Sequence, residues 1–229
     1  MPTPLDSRRR HTHSRFSHFA THDPRVIELR PFEHRHFQRI VGLSPRDPYN
    51  DRIRSASRKP RMSAPYQILI SNEQSSVAIS ADELRRVATL TLQSEGVVSA
   101  EISLAVVNDP AIHKVNRDYL QHDYPTDVIS FLLDSGHADP RPALPIHVQS
   151  RRGAGQWLHG DVILSAQTAQ REAAEYGWEP QSEICLYLVH GLLHLCGYDD
   201  LTDEEQTVMR TREREILQQL GLSPQYEED

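Results

Sequence analysis

Cysteine is scarce. Two in 229 residues exclude a disulfide-stapled fold. Cys185 and Cys196 fall on one predicted helix, about 16 Å apart along its axis, too far to bond to each other. Two buried thiols suit a cytoplasmic protein. Long hydrophobic runs are missing as well: no apolar stretch approaches the ~18 residues a bilayer span needs, so no membrane partner is expected. No secretory signal is visible, because the amino-terminal stretch is charged throughout. Internal repeats are absent. Positive charge is also in deficit, with 25 Lys+Arg against 32 Asp+Glu, which weighs against broad electrostatic binding of nucleic acid.

The deficit is uneven. Residues 1–61 carry 14 Lys+Arg against 6 Asp+Glu, a net of +8, whereas residues 62–229 carry 11 against 26, a net of −15. The first segment is rich in Arg, His, Pro and Ser, and its apolar residues follow no period. It cannot bury enough surface to offset its ordering entropy, so residues 1–61 are expected to be a basic, disordered extension. Such a tail could attract RNA, or have no folded role. Met62-Ser63-Ala64 precedes the first clear strand, which makes Met62 a candidate start of translation.

From there the pattern alternates between periods of two and 3.6. Tyr66–Ile70, Glu101–Val107, Asp127–Leu133 and Trp157–Leu164 read as strands. Ser80-Ala81-Asp82-Glu83 and Thr202-Asp203-Glu204-Glu205 are capping boxes that open helices, closed by Gly96 and near Gly221. Asp109-Pro110 starts a short helix running to about Tyr119. Residues 166–176 form another, and Pro180–Leu195 a helix apolar nearly all round, hence buried. Residues 134–156 read as a long mobile loop. The expected fold is α+β: one domain over 62–229, a mixed four-stranded sheet packed with about five helices.

The densest chemistry lies in His190-Gly191-Leu192-Leu193-His194-Leu195-Cys196-Gly197-Tyr198-Asp199-Asp200. Histidines four residues apart on a helix are separated by about 40° of rotation and can share one ion. Gly197 can end the helix in a left-handed conformation, returning Asp199 or Asp200 to the same ion. Two histidines and a carboxylate are a three-ligand zinc set with an open fourth position, a zincin-like metal helix. The plainer reading makes both histidines core residues bonded to carbonyls, but buried imidazoles without partners are costly. Gly191 costs about 1 kcal/mol inside a helix, so it serves either tight packing or close approach of a substrate. The metalloprotease motif has glutamate there as general base. Glycine cannot replace it, which excludes peptide hydrolysis by that route.

These residues resemble the YbeY family of endoribonucleases and rRNA maturation factors. The family signature is similar to His-Gly-x-Leu-His-Leu-x-Gly-Tyr-Asp-His, matched by residues 190–200 with Asp200 in the last position. A second block runs from Asn116 through Pro125-Thr126-Asp127 to Ser130-Phe131, and a third is Gly160-Asp161-Val162-Ile163. The resemblance spans about residues 62–221 and implies one Zn2+ per chain, a metal-bound water, cleavage of single-stranded RNA rather than DNA, and a cytoplasmic setting. It further implies work on 16S rRNA 3′ maturation and ribosome quality control. Its register favours Asp200 over Asp199, giving His190, His194 and Asp200 as the metal set. Asn116, Thr126, Asp127, Ser130 and Gly191 are the expected substrate groove, although capping and turn chemistry also explain Asn116 and Asp127.

Two departures stand out. Asp200 replaces a histidine ligand and lowers the charge of the centre by one unit, so the bound water should be less acidic. Leu120 replaces an arginine associated with the family's ribonuclease activity. Arg117, three residues earlier on the same helical face, is the expected substitute, a bidentate phosphate clamp. Without a glutamate base, either metal hydroxide or the RNA's own 2′-hydroxyl attacks. Three functions remain open: a zinc-dependent endoribonuclease, a non-catalytic zinc-stabilised ribosome-assembly factor, and a metal hydrolase of another substrate. The acidic surface could also meet a basic ribosomal protein.

Overall fold

The computed structural model describes residues 65–224 and Tyr226. The extension expected over 1–61 and the candidate start at Met62 lie outside these residues. Four strands, β1 (Tyr66–Asn72), β2 (Ser99–Val107), β3 (Val128–His137) and β4 (Gln156–Ser165), form one sheet in the order β1-β2-β4-β3. The first three in that order run parallel and β3 runs antiparallel to β4. Five helices accompany it: α1 (Ala81–Ser94), α2 (Asp109–Leu120) and α4 (Pro180–Leu195) lie against strands, and α3 (Ala166–Glu175) and α5 (Asp203–Gln219) pack on α4. This is the expected α+β domain with a mixed four-stranded sheet. No described helix is long and apolar enough to cross a membrane.

Local signals hold the ends in place. Ser80 Oγ accepts the Glu83 N–H at 3.1 Å and Thr202 Oγ1 the Glu205 N–H at 3.2 Å, as N-caps do. Along β2, Ile102, Leu104 and Val106 join the larger core with α1, α4 and α5, while Ala105 and Val107 join Ile129, Phe131 and Ile163 under Ile112 and Val115 of α2. The sheet therefore separates α2 from α4. α4 is buried continuously from Ser182 to Leu193, against α1, α3, α5, β3 and β4.

The long loop differs from expectation. β3 continues to His137, because pairing with β4 extends from Val128–Leu164 to His137–Gln156. The connection that remains is anchored: Val148 is buried in a 3-10 turn, Arg151 pairs with Glu215 at 3.3 Å, and Arg152 donates to the Gly197 carbonyl at 2.7 Å.

One buried ion pair ties α5 to the end of α1. Arg212 donates from Nε and Nη2 to Glu95 Oε1 at 2.9 and 2.6 Å, with Glu95 wholly buried, and Glu215 accepts from Nη1. Removing one partner strands the other charge, so Arg212→Ala should cost about 3–5 kcal/mol in urea unfolding. Both cysteines are buried. Burial pushes the Cys185 thiol up to about 12 and Cys196 well above its ordinary value. At pH 8 the native protein should therefore leave a thiol-disulfide reagent unreacted, and both cysteines should label once it is denatured.

Candidate metal centre

The metal helix ends where its sequence says. Gly197 adopts φ +90°, its N–H reaches the His194 carbonyl at 2.9 Å, and the Tyr198 N–H reaches the Leu193 carbonyl at 3.1 Å, closing the last turn. Arg152 braces the returning chain, its guanidinium 4.8 Å from the Tyr198 ring centre. The return brings Asp200 to the two histidines: its Oδ2 lies 3.8 Å from His190 Nε2 and its Oδ1 3.9 Å from His194 Nε2. One ligand atom from each of His190, His194 and Asp200 lies within 4.8 Å of the others. Asp199 is occupied otherwise, its Oδ1 accepting the Asp200 N–H at 2.8 Å.

Hydrogen bonding fixes what the imidazoles present. His194 Nδ1 lies 3.0 Å from the Tyr198 carbonyl oxygen, and His190 Nδ1 2.6 Å from Glu213 Oε1. A carbonyl and a carboxylate only accept, so both Nδ1 atoms donate. With both rings neutral, the two Nε2 lone pairs face each other at 2.9 Å, beside a carboxylate. That arrangement calls for positive charge between them. Zinc bonds of about 2.0–2.1 Å at tetrahedral angles would hold ligand atoms about 3.3 Å apart, between the His–His and His–Asp separations observed. The donor set fits a cation.

The charges agree. Burial, with the charge of His190 beside it, lowers His194 to about 3, so it is neutral at physiological pH, as a ligand must be. Burial also opposes charge on His190, but bonded Glu213, with Asp200 and Asp127 nearby, holds it above the usual histidine value. Burial raises Asp200, against the pull of His190.

The groove residues divide. Asp127 is within electrostatic reach of His190 and is raised chiefly by burial. Its Oδ1 accepts from Thr126 Oγ1 at 2.8 Å and the Val128 N–H at 2.9 Å; its Oδ2 is buried with no hydrogen-bond partner among the described residues. Gly191 faces the sheet. It is buried, and a Cβ there would sit 3.0 Å from Val128 Cγ2 and Val162 Cγ1 and 3.8 Å from Ser130 Cβ. Contact with the sheet, the tight-packing reading, is sufficient to account for this glycine. Asn116 is buried on α2 and donates to the Tyr124 carbonyl at 2.8 Å, bracing the loop into β3. Arg117 is not gathered to the cluster: it lies on α2, across the sheet from α4, its Nε 3.2 Å from Asp118 Oδ1. Leu120 packs against the smaller core.

Glu213 is the participant that motif reading passes over. It occupies the buried face of α5 with Met209, Ile216 and Leu217. An acidic residue at an apolar position of the helical period was the available signal.

The family model described as Endoribonuclease YbeY matches residues 69–221. The chain belongs to the YbeY family. An Endoribonuclease YbeY of Pelotomaculum thermopropionicum is 41% identical over 162 residues, 68% of this chain and 98% of that protein. The one of Desulforamulus reducens is 36% identical over 160 residues, with the same coverage of both chains. A solved structure of a Thermotoga maritima protein matches with a TM-score of 0.42 at 17% identity, covering 68% of this chain and 92% of that one. The YbeY match contains the whole His190–Asp200 motif and Glu213. For Gly191 the packing assignment gives a direct expectation: Gly191→Val should lower stability to urea by about 1–3 kcal/mol through overpacking, whereas a glycine kept for substrate access would leave stability unchanged.

Proposed function

We propose that this YbeY-family chain is a zinc-dependent endoribonuclease of single-stranded RNA, acting in the cytoplasm on 16S rRNA 3′ maturation and ribosome quality control. The observation that supports it is the convergence of two imidazole lone pairs and the Asp200 carboxylate on one point. Two nitrogens and one oxygen suit zinc and leave a coordination position open. Zinc, when bound, supplies a Lewis acid for a phosphoryl oxygen and acidifies water.

The residues of the chain do the rest. His190, His194 and Asp200 hold the ion. Thr126, Asp127 and Ser130, at the start of β3 beside the metal helix, form one wall of the substrate groove, with Asn116 fixing the loop that leads into it. Arg117 has a half-exposed guanidinium, and its use as a phosphate clamp requires exchange of Asp118 for a phosphate. The acidic charge of residues 62–229 suits a basic ribosomal protein as a further partner.

A second reading, a non-catalytic assembly factor stabilised by zinc, draws on Leu120. That side chain is packed into the smaller core and carries no charge for phosphate. One experiment separates the readings. Purified protein is expected to contain about one zinc per chain and to cut single-stranded RNA. Replacing His194 with Ala should abolish zinc uptake and slow cleavage more than about 100-fold, roughly 2.7 kcal/mol. Zinc without cleavage supports the assembly factor; a parent protein that takes up no metal sinks both.

A further inference from the structure

Glu213 is a buried carboxylate with both oxygens engaged. Oε1 meets His190 Nδ1 at 2.6 Å and Oε2 accepts the Tyr226 hydroxyl at 2.6 Å. Its side chain has no exposure and that of His190 has 1%. Placing a carboxylate there is costly unless it is paired, and its neighbours on the α5 face, Met209, Ile216 and Leu217, show that an apolar residue would meet the needs of packing. The position serves His190.

We propose that Glu213, held in turn by Tyr226, is the positioning residue of the metal centre: it fixes the tautomer and ring orientation of His190 and makes that nitrogen the stronger donor of the pair. An imidazole can carry its proton on either nitrogen and can flip its ring. A carboxylate at Nδ1 selects the neutral form that carries its lone pair on Nε2, and its negative charge raises the basicity of that nitrogen. The histidines are therefore unequal, since His194 Nδ1 meets a neutral carbonyl, that of Tyr198, and His190 Nδ1 a carboxylate.

Tyr226 extends the device past the last helix. Its ring lies beside the guanidinium groups of Arg210 and Arg214, 5.4 and 5.0 Å from the ring centre, which fold the segment after α5 back along that helix. Cation–π contact of this kind holds a ring in place, and its hydroxyl then fixes the second oxygen of Glu213. Tyr226 lies beyond the stretch matched by the family model, which ends at residue 221.

The proposal rests on the reading of His190, His194 and Asp200 as metal ligands, and its test is metal binding rather than cleavage. Zinc dissociation constants are measured by chelator competition on the full chain, and the visible spectrum of the Co2+-loaded protein reports ligand-field geometry. Glu213→Gln, which keeps the shape and loses the charge, should weaken zinc binding about 10–100-fold and displace the cobalt bands. Tyr226→Phe should shift both in the same direction by less. Glu204→Gln, on the exposed first turn of α5, should change neither. A folded Glu213→Gln protein with the parent's zinc affinity and cobalt spectrum overturns the proposal. Should that variant not fold, a Tyr226→Phe protein with both unchanged overturns it equally. A parent that binds no zinc refutes the ligand reading itself, an outcome distinct from a zinc-binding parent whose variants bind equally well.

Discussion

A helix that is apolar on every side has to be surrounded. α4 meets that demand through α1, α3, α5 and the β3–β4 half of the sheet, and most of the architecture follows from it. The encasement also determines the chemistry. The His190 imidazole on such a helix has no water to turn to and that of His194 has little, so their polar atoms are met chiefly by protein groups or by a ligand. Each Nδ1 is met by an acceptor, one from the returning chain and one from α5, and the two Nε2 atoms are left facing the same point with Asp200. Gly191 belongs to the same constraint. Removing a side chain lets the helix lie against Val128 and Val162, which brings the start of β3, and with it Asp127, into electrostatic range of His190.

The surroundings of the centre are rich in negative charge: Asp200, Asp127 and Glu213 all act on His190. Grouped carboxylates repel one another in a low-dielectric interior, and cationic charge among them relieves this. The acidity that weighs against loose electrostatic binding of RNA is thus, in part, concentrated around a group of side chains that could hold a cation. The return loop is strengthened separately. Arg152 holds it by the Gly197 carbonyl and the Tyr198 ring, so the chain between β3 and β4, expected to be mobile, stabilises the segment that delivers Asp200.

Much of this was legible in the sequence because it is local. Helix limits came from Ser80, Thr202 and Gly197, whose capping chemistry acts within four residues. The candidate donor cluster came from a spacing of four and a turn. What stayed hidden depends on contacts between residues remote in sequence. Glu213 is 23 residues from His190, and among the other acidic residues of α5 only its helical phase sets it apart. The packing role of Gly191 became visible only once Val128 and Val162 were seen against it. The preference for Asp200 over Asp199 rested on resemblance, and the fold gives it a physical basis: Asp199 accepts the Asp200 N–H, while Asp200 lies beside both histidines. The length of β3 depended on its antiparallel partner, which no pattern within 134–137 announces.

One absence acquires meaning from the fold. Cys196 follows His194 by two positions, and a thiolate so placed would be a softer donor than a carboxylate oxygen for a borderline metal. It is instead sealed into the core, with ionisation suppressed by burial and by nearby Glu95. The donor set therefore contains nitrogen and oxygen but no sulfur. Peroxide and other electrophilic oxidants, which disarm sulfur-ligated sites through sulfenic acid formation, have no thiolate to attack in this one.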